Sequence, residues 1–148
     1  MTIKAGHKNL SEIRNSVHPK CVVCSPANIR GLHMNYDVDG DSGVRATFEC
    51  DYTFEGYPGM VHGGVLSSIL DGAMGNCMFA HGLATVTVEL TTKFRHPVMI
   101  GQQALVSARI IRYSHPLYLL EAEIVQDGTV KATAKGKFYN QQQLIDMD

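Results

Sequence analysis

The chain has 148 residues, enough for one domain with a sizeable hydrophobic core. Its formal net charge of -1 argues against a protein that binds nucleic acid by neutralising many phosphates. No apolar run reaches about 18 residues, so no membrane-spanning helix is expected. The N-terminal stretch lacks the apolar core of a secretion signal, and the four cysteines then indicate reduced thiols in a cytoplasmic protein.

Short elements come first along the chain. Residues 10–17 are predicted to form a helix, and residues 18–30, which include two prolines, a loop. Two strands are predicted at residues 32–37 and 44–52, because the DVDGDSG stretch between them is a strong turn signal.

Residues 56–82 are mostly apolar and predict one long helix. Apolar side chains recur there at helical spacing, at Leu66, Ile69, Leu70, Ala73, Met74 and Cys77. The pair Asp71 and Gly72 is also a hairpin signal, but hairpin strands should alternate, whereas these residue types come in pairs. A helix is therefore favoured.

The remaining chain is strand-like. Four strands are predicted, at residues 85–94, 104–114, 117–126 and 129–140. Alternation in the first of them places one set of side chains on a common face, namely Val86, Val88, Leu90, Thr92 and Phe94. Closely joined strands pair antiparallel, so the pattern predicts an α+β fold with the helix packed on one sheet. We expect a single domain over residues 1–148, with residues 1–31 as an N-terminal helix and loop extension.

The long helix is predicted to begin near His62 and Gly63. The first N–H groups of a helix have no partner within it and carry partial positive charge. Gly63 and Gly64 would let a carbonyl oxygen or a developing oxyanion approach these groups closely. On its own, however, the HGG sequence favours a plain Gly-rich turn over a binding site.

Gly64, Ser68, Asp71 and Gly75 share one face of the predicted helix. Each interior Gly costs roughly 1 kcal/mol relative to Ala, so this small-residue stripe indicates that a second helix or a slender substrate lies close to it. A buried carboxylate is costly unless it is paired. Asp71 is therefore either a hydrogen-bonded structural group or a nucleophile or general base in a pocket.

The stretch GYPGMVHGGVLSSILDGAMG resembles the signature of hot-dog-fold thioesterases of the phenylacetate-pathway type, within the 4-hydroxybenzoyl-CoA thioesterase superfamily. In that family a loop containing HGG enters a long helix, and an acid follows the His by nine positions, as Asp71 follows His62. The downstream VTVELTTKFRHPVMIGQ stretch is similar to the family's next strand. The resemblance covers roughly residues 32–140 and implies a hot-dog fold, an antiparallel sheet of about six strands wrapped around one long central helix.

The resemblance also implies roles for individual residues. Asp71 would attack the thioester carbonyl or activate water, and the Gly63 N–H would polarise that carbonyl, helped by Gly64. His62 would shape the pocket, and Thr87 stands where related enzymes have a hydroxyl that holds the water.

Other positions bear on substrate binding. Gly56 stands where some relatives have an Asn, with Glu55 as its polar neighbour, and Gly72 stands where many relatives have a Glu. Ser68 and Gly64 lie on the small-residue stripe, where a slender substrate would fit. Cationic strand residues could reach the phosphates of coenzyme A; they are Lys93, Arg95, Arg109 and Arg112.

The predicted loop contains Cys21 and Cys24, flanked by His18 and His33. Two thiols and two imidazoles could make a zinc site, and a C-x-x-C pair could also be redox-active. A second closely spaced ligand pair is missing from the sequence, which favours thiols that pack beneath the sheet. No metal and no cofactor is therefore predicted.

The sequence predicts a cytoplasmic acyl-CoA thioesterase that hydrolyses an acyl thioester to a carboxylic acid and free coenzyme A. Two alternatives stay open. One is a non-catalytic acyl-CoA-binding hot-dog protein, and the other is a hot-dog dehydratase acting on hydroxyacyl thioesters, for which His62 is the only nearby candidate.

Spacing within the helix also predicts the assembly. Gly63 and Asp71 are eight residues apart, or about 12 Å along a helix. A donor and an attacking group must each lie about 3 Å from the reacting carbonyl, so one helix cannot supply both. An antiparallel second copy would bring its acid to the first copy's donor. We therefore expect a homodimer, or a dimer of dimers, with composite sites.

Overall fold

The computed structural model describes residues 4–141. Within them lie two α-helices, a short 3₁₀ helix and six strands. In chain order these are α1 (His7–Val17), β1 (Asp37–Asp39), β2 (Gly43–Glu49), the 3₁₀ helix (Tyr52–Phe54), α2 (Gly63–Ala80), β3 (Thr85–Phe94), β4 (Gln103–Ser114), β5 (Leu117–Gln126) and β6 (Thr129–Asn140). The strands form one antiparallel sheet in the order β1-β2-β4-β5-β6-β3.

Helix α2 buries one face against this sheet. The six apolar residues that define its predicted spacing are all at most 3% exposed, which confirms the prediction. Burial of each large apolar side chain contributes about 1.5–3 kcal/mol to the free energy of unfolding. Gly136 on β6 gives the helix room, since a Cβ there would lie 3.1 Å from Sδ of Met74. The arrangement is the predicted hot-dog fold.

The four C-terminal strands agree with their predicted bounds to within one residue. The strand predicted at residues 32–37, by contrast, is wrong, because β1 begins only at Asp37. The N–H of Leu32 donates instead to the carbonyl of Val22 at 2.7 Å. This segment pairs with the loop that precedes it and not with the sheet.

Two further bounds differ from their predictions. Helix α1 begins at His7, and β2 ends at Glu49. The latter strand stops early because the Asp51 carboxylate accepts the Thr53 N–H at 2.8 Å and starts the 3₁₀ turn. The expected domain limits, residues 1 and 148, lie outside the described residues. Among residues 4–141, no helix is both long and apolar enough to cross a membrane.

Strand β3 forms one edge of the sheet and contains a bulge. The register with β6 shifts between Thr87 and Glu89. Thr87 lies opposite the buried Phe138 and faces α2, and so does Leu90, which lies opposite Gly136. The prediction of one continuous apolar face on this strand is therefore wrong, because alternation reverses across the bulge.

Gly72 on α2 contacts the N-terminal loop. A Cβ at Gly72 would lie 2.5 Å from Cγ1 of Val23 and 3.0 Å from the hydroxyl of Tyr36. That buried hydroxyl donates to the Ile69 carbonyl at 2.8 Å, so it cannot move aside freely. A Cβ at Gly75, by contrast, would meet no atom of residues 4–141 within 4 Å. A contact within the chain thus explains Gly72 but not Gly75.

We expect Gly72→Ala to destabilise the fold. Overpacking costs about 1–3 kcal/mol, and the gain in helix propensity offsets up to about 1 kcal/mol of it. In a Val23→Ala background, which removes Cγ1, the same change should cost at least about 1 kcal/mol less. Urea unfolding of the four chains measures this coupling. An equal cost of Gly72→Ala in both backgrounds would contradict the contact.

Candidate active site

The N-terminus of α2 is capped by the residue that precedes it. His62 is the N-cap, and its Nδ1 accepts a hydrogen bond from the Gly64 N–H at 2.9 Å. The N–H of Gly63, the first helical residue, has no partner within the helix. The sequence suggested the N–H groups of Gly63 and Gly64 as donors to a substrate. The Gly63 N–H is available for that role, whereas the Gly64 N–H is used in the cap.

A groove of about 720 Å³ opens beside Gly63. One wall comes from the loop before α2, and the other from the end of β3 and the residues that follow, including Phe94, Arg95 and His96. A Cβ at Gly63 would lie 3.6 Å from the Phe94 ring. The sequence did not single out Phe94 or His96 as site residues, although alternation after the bulge does place Phe94 on the helix side.

Asp71 and Thr87 form a hydrogen-bonded pair between α2 and β3. The Thr87 hydroxyl donates to Oδ1 of Asp71 at 2.6 Å. Burial raises the pKa of the Asp71 carboxyl above its ordinary value, while the Thr87 hydrogen bond and the nearby His18 act in the opposite direction. The carboxyl is therefore desolvated and oriented, two properties of a general base.

The acid and the donor are separate within one chain. Asp71 and Thr87 do not line the groove at Gly63, and about 12 Å of helix lies between Gly63 and Asp71. The small-residue stripe begins at Gly64 and continues past Asp71 to Gly75. Gly64 is exposed, and the other members of the stripe are half-exposed. Its Ser68 hydroxyl donates to the Gly64 carbonyl at 2.9 Å and is tied to the helix backbone.

The loop at Glu55 and Gly56 is shaped around the helix cap. A Cβ at Gly56 would lie 3.0 Å from Cα of His62, so no larger residue fits there without a shift of the backbone. Glu55 lines the groove, and its Oε2 accepts the Gly59 N–H at 2.9 Å. The carboxylate of Glu55 thus holds the loop that forms one wall of the groove.

Of the two strand cations proposed to bind substrate, Arg95 alone lines the groove at Gly63. Arg95 also lines the concavity that contains Lys93. Lys93 lies opposite Thr133, on the sheet face turned away from α2, in a larger concavity of about 930 Å³. That concavity contains none of Asp71, Thr87 and Gly63, so its greater size does not make it the better candidate.

Three of the four candidate metal ligands come together. The ligand atoms of His18, Cys21 and Cys24 all lie within 4.8 Å of one another. His33 is not among them, because its ring nitrogen Nε2 bonds the carbonyl of Asn28 and its side chain is exposed.

Comparison with known proteins places this geometry in a family. The family model described as "Thioesterase superfamily" matches residues 58–141, which is more than half of the chain. The chain belongs to the thioesterase superfamily. The match spans α2 and the four strands that follow it, and so includes Asp71, Thr87 and the part of the groove from Met60 onward.

Individual relatives agree with this assignment. Bovine acyl-coenzyme A thioesterase THEM4 is 27% identical over 113 residues, 73% of this chain but 46% of the relative, so the chain spans about half of that protein. The crystal structure of a thioesterase superfamily protein superposes with a TM-score of 0.75 at 25% identity, over 79% of this chain and 61% of that one. The E. coli PaaI protein of the phenylacetic acid degradation operon has the same fold, with a TM-score of 0.75 at 19% identity over 90% and 94% of the two chains.

We expect Asp71→Asn to be at least as stable as the wild-type chain at pH 7. Because folding raises the pKa of Asp71, the ionised form opposes folding, and this penalty is present above the folded pKa. The Asn side chain removes the charge and can still accept from Thr87. Urea unfolding at pH 7 measures the difference, which should vanish as pH falls below the unfolded pKa of about 3.9. A variant less stable at pH 7 by a margin independent of pH would contradict this.

Proposed function

We propose that this chain is an acyl-CoA thioesterase that hydrolyses an acyl thioester to a carboxylic acid and free coenzyme A. The observation that carries the proposal is the Asp71–Thr87 pair on a helix face made of small residues. A desolvated carboxylate oriented by a hydroxyl is suited to take a proton from water. Membership of the thioesterase superfamily, and a relative named as an acyl-coenzyme A thioesterase, support the same activity.

Asp71 acts as the general base in this proposal. Its carboxylate takes a proton from a water molecule while the water oxygen attacks the thioester carbonyl carbon. The Gly63 N–H of a second copy of the chain donates to the resulting oxyanion, aided by the partial positive charge of that helix N-terminus. The tetrahedral intermediate expels the thiolate, which takes the proton back from Asp71. The products are one carboxylic acid and one thiol.

Other observations support the substrate class and the setting. Arg95 lines the groove, where a guanidinium can pair with phosphate oxygens of coenzyme A. The four cysteines are free thiols, which supports a cytoplasmic setting. His62 uses Nδ1 to cap α2, which makes it a poor acid–base residue for a dehydratase.

Asp71→Asn should lower kcat by at least about a hundredfold, the lower end for general-base catalysis. Thr87→Val should lower kcat by about tenfold or more, because a hydrogen bond to a charged group contributes about 1.5–3 kcal/mol. Thr87→Ser keeps the hydroxyl and is the matched control. Release of free thiol from a panel of short, long and aromatic acyl-CoAs is the measurement. Near-normal turnover by folded Asp71→Asn would refute the assignment.

We also propose that the functional unit is a homodimer, alone or within a dimer of dimers. The first support is the distance of about 12 Å between Gly63 and Asp71, which one substrate cannot bridge. The second is the small-residue stripe, where Gly75 faces open space. The third is edge strand β3, on which Val88 and Phe94 are each 55% exposed. Sheet edges of this kind are normally covered.

Mixing two inactive variants tests the composite site. Asp71→Asn lacks the acid, and Gly63→Val blocks the donor. After joint unfolding and refolding, a random mixture should recover roughly a quarter of wild-type activity, because half of the dimers contain one intact site. Each variant refolded alone is the control. Mixed dimers that form from folded parents but remain inactive would place each site within one chain.

A further inference from the structure

The loop after α1 gathers three side chains that commonly bind metals. His18, Cys21 and Cys24 bring one imidazole and two sulfurs within 4.8 Å of one another. Sγ of Cys24 lies 3.7 Å from Nδ1 of His18. All three residues precede the segment matched by the family model. They line neither the groove at Gly63 nor the larger concavity that contains Lys93. The proposed hydrolysis leaves them without a role.

The backbone of this loop is wrapped around one sulfur. Sγ of Cys21 accepts hydrogen bonds from the N–H groups of Val23 at 3.3 Å and Cys24 at 3.4 Å. Donors directed at a sulfur stabilise its thiolate, and the thiolate is the form that binds a metal.

A neighbouring ring holds the imidazole ligand. The His18 ring packs edge-on against Phe79, with ring centroids 4.9 Å apart. Outer contacts of this kind orient the ligands of metal sites.

The donor types and one measured separation fit zinc. Zinc bonds of about 2.0 Å to nitrogen and 2.3 Å to sulfur, at a tetrahedral angle, separate the two ligand atoms by about 3.5 Å. The observed separation between His18 and Cys24 is 3.7 Å. Thiolate and imidazole donors suit zinc, whereas calcium and magnesium require oxygen ligands.

We propose that His18, Cys21 and Cys24 bind one zinc ion. Water fills the fourth position, since His18 and Cys21 are half-exposed and solvent can reach the site. The ion fastens the loop whose Val23 packs on Gly72 of α2. This role is structural and does not depend on the proposed thioesterase activity.

Zinc titration of the full chain tests the site. The reduced, metal-free protein, kept under a non-metal-binding reductant, competes for Zn²⁺ with a chromophoric chelator. We expect one zinc per chain with a dissociation constant below about 1 µM. Co²⁺ in place of zinc should give a thiolate-to-metal absorption band. Cys21→Ser and His18→Gln should each weaken binding by at least about a hundredfold, because losing a direct ligand costs no less than losing an outer contact, for which the upper end is about a hundredfold.

Two variants outside the cluster serve as matched controls. Cys50→Ser removes one thiol, and His33→Asn removes one imidazole from the same loop, so both should bind zinc as the wild-type chain does. Equal affinity in the ligand variants would overturn the proposal. A reduced wild-type chain that takes up no zinc would also overturn it. This holds even if Cys21 and Cys24 form a disulfide when the same chain is exposed to air. If a ligand variant fails to fold, the cobalt spectrum of the wild-type chain decides, and absence of the thiolate band refutes the site.

Discussion

Helix α2 packs against the sheet on one face and against the N-terminal loop on another, and the rest of the structure follows from that constraint. Its apolar face is buried on the sheet, where Gly136 lets Met74 approach. A second face carries Gly72 against the N-terminal loop. The face with Asp71 and Gly75 is left half-exposed. Because the fold occupies the other two surfaces, this one is where a substrate or a partner chain has room to bind.

The position of Asp71 lowers the stability of the fold but suits the proposed function of this residue. Burial disfavours its charge, and the Thr87 hydroxyl offsets part of that penalty through one short hydrogen bond. The bulge in β3 lets Thr87 before it and Leu90 after it both face α2, because it reverses the alternation of the strand between them. An irregularity that weakens one edge of the sheet thus supplies the group that tunes the acid.

Periodic features were predictable from the sequence, and contacts between distant segments were not. The apolar spacing of α2 and the alternation in β4, β5 and β6 follow from local pattern, and the structure agrees with them. The failed strand at residues 32–37 has suitable residues, but its N–H groups find carbonyls in the preceding loop. Likewise Asp71 and Thr87 became candidates through the resemblance to a family, whereas their hydrogen bond joins two distant segments and could not be read from the sequence.

The contact between Gly72 and Val23 makes two distant positions conditional on each other. With 2.5 Å between a Cβ at Gly72 and Cγ1 of Val23, a side chain at position 72 would displace the loop. A chain with a glutamate at this position needs either a smaller residue in place of Val23 or a different path for its N-terminal segment. Replacing α2 of this chain by a helix with a glutamate at position 72, while keeping Val23, would create a clash beside Asp71. The two pieces are exchangeable only as a unit.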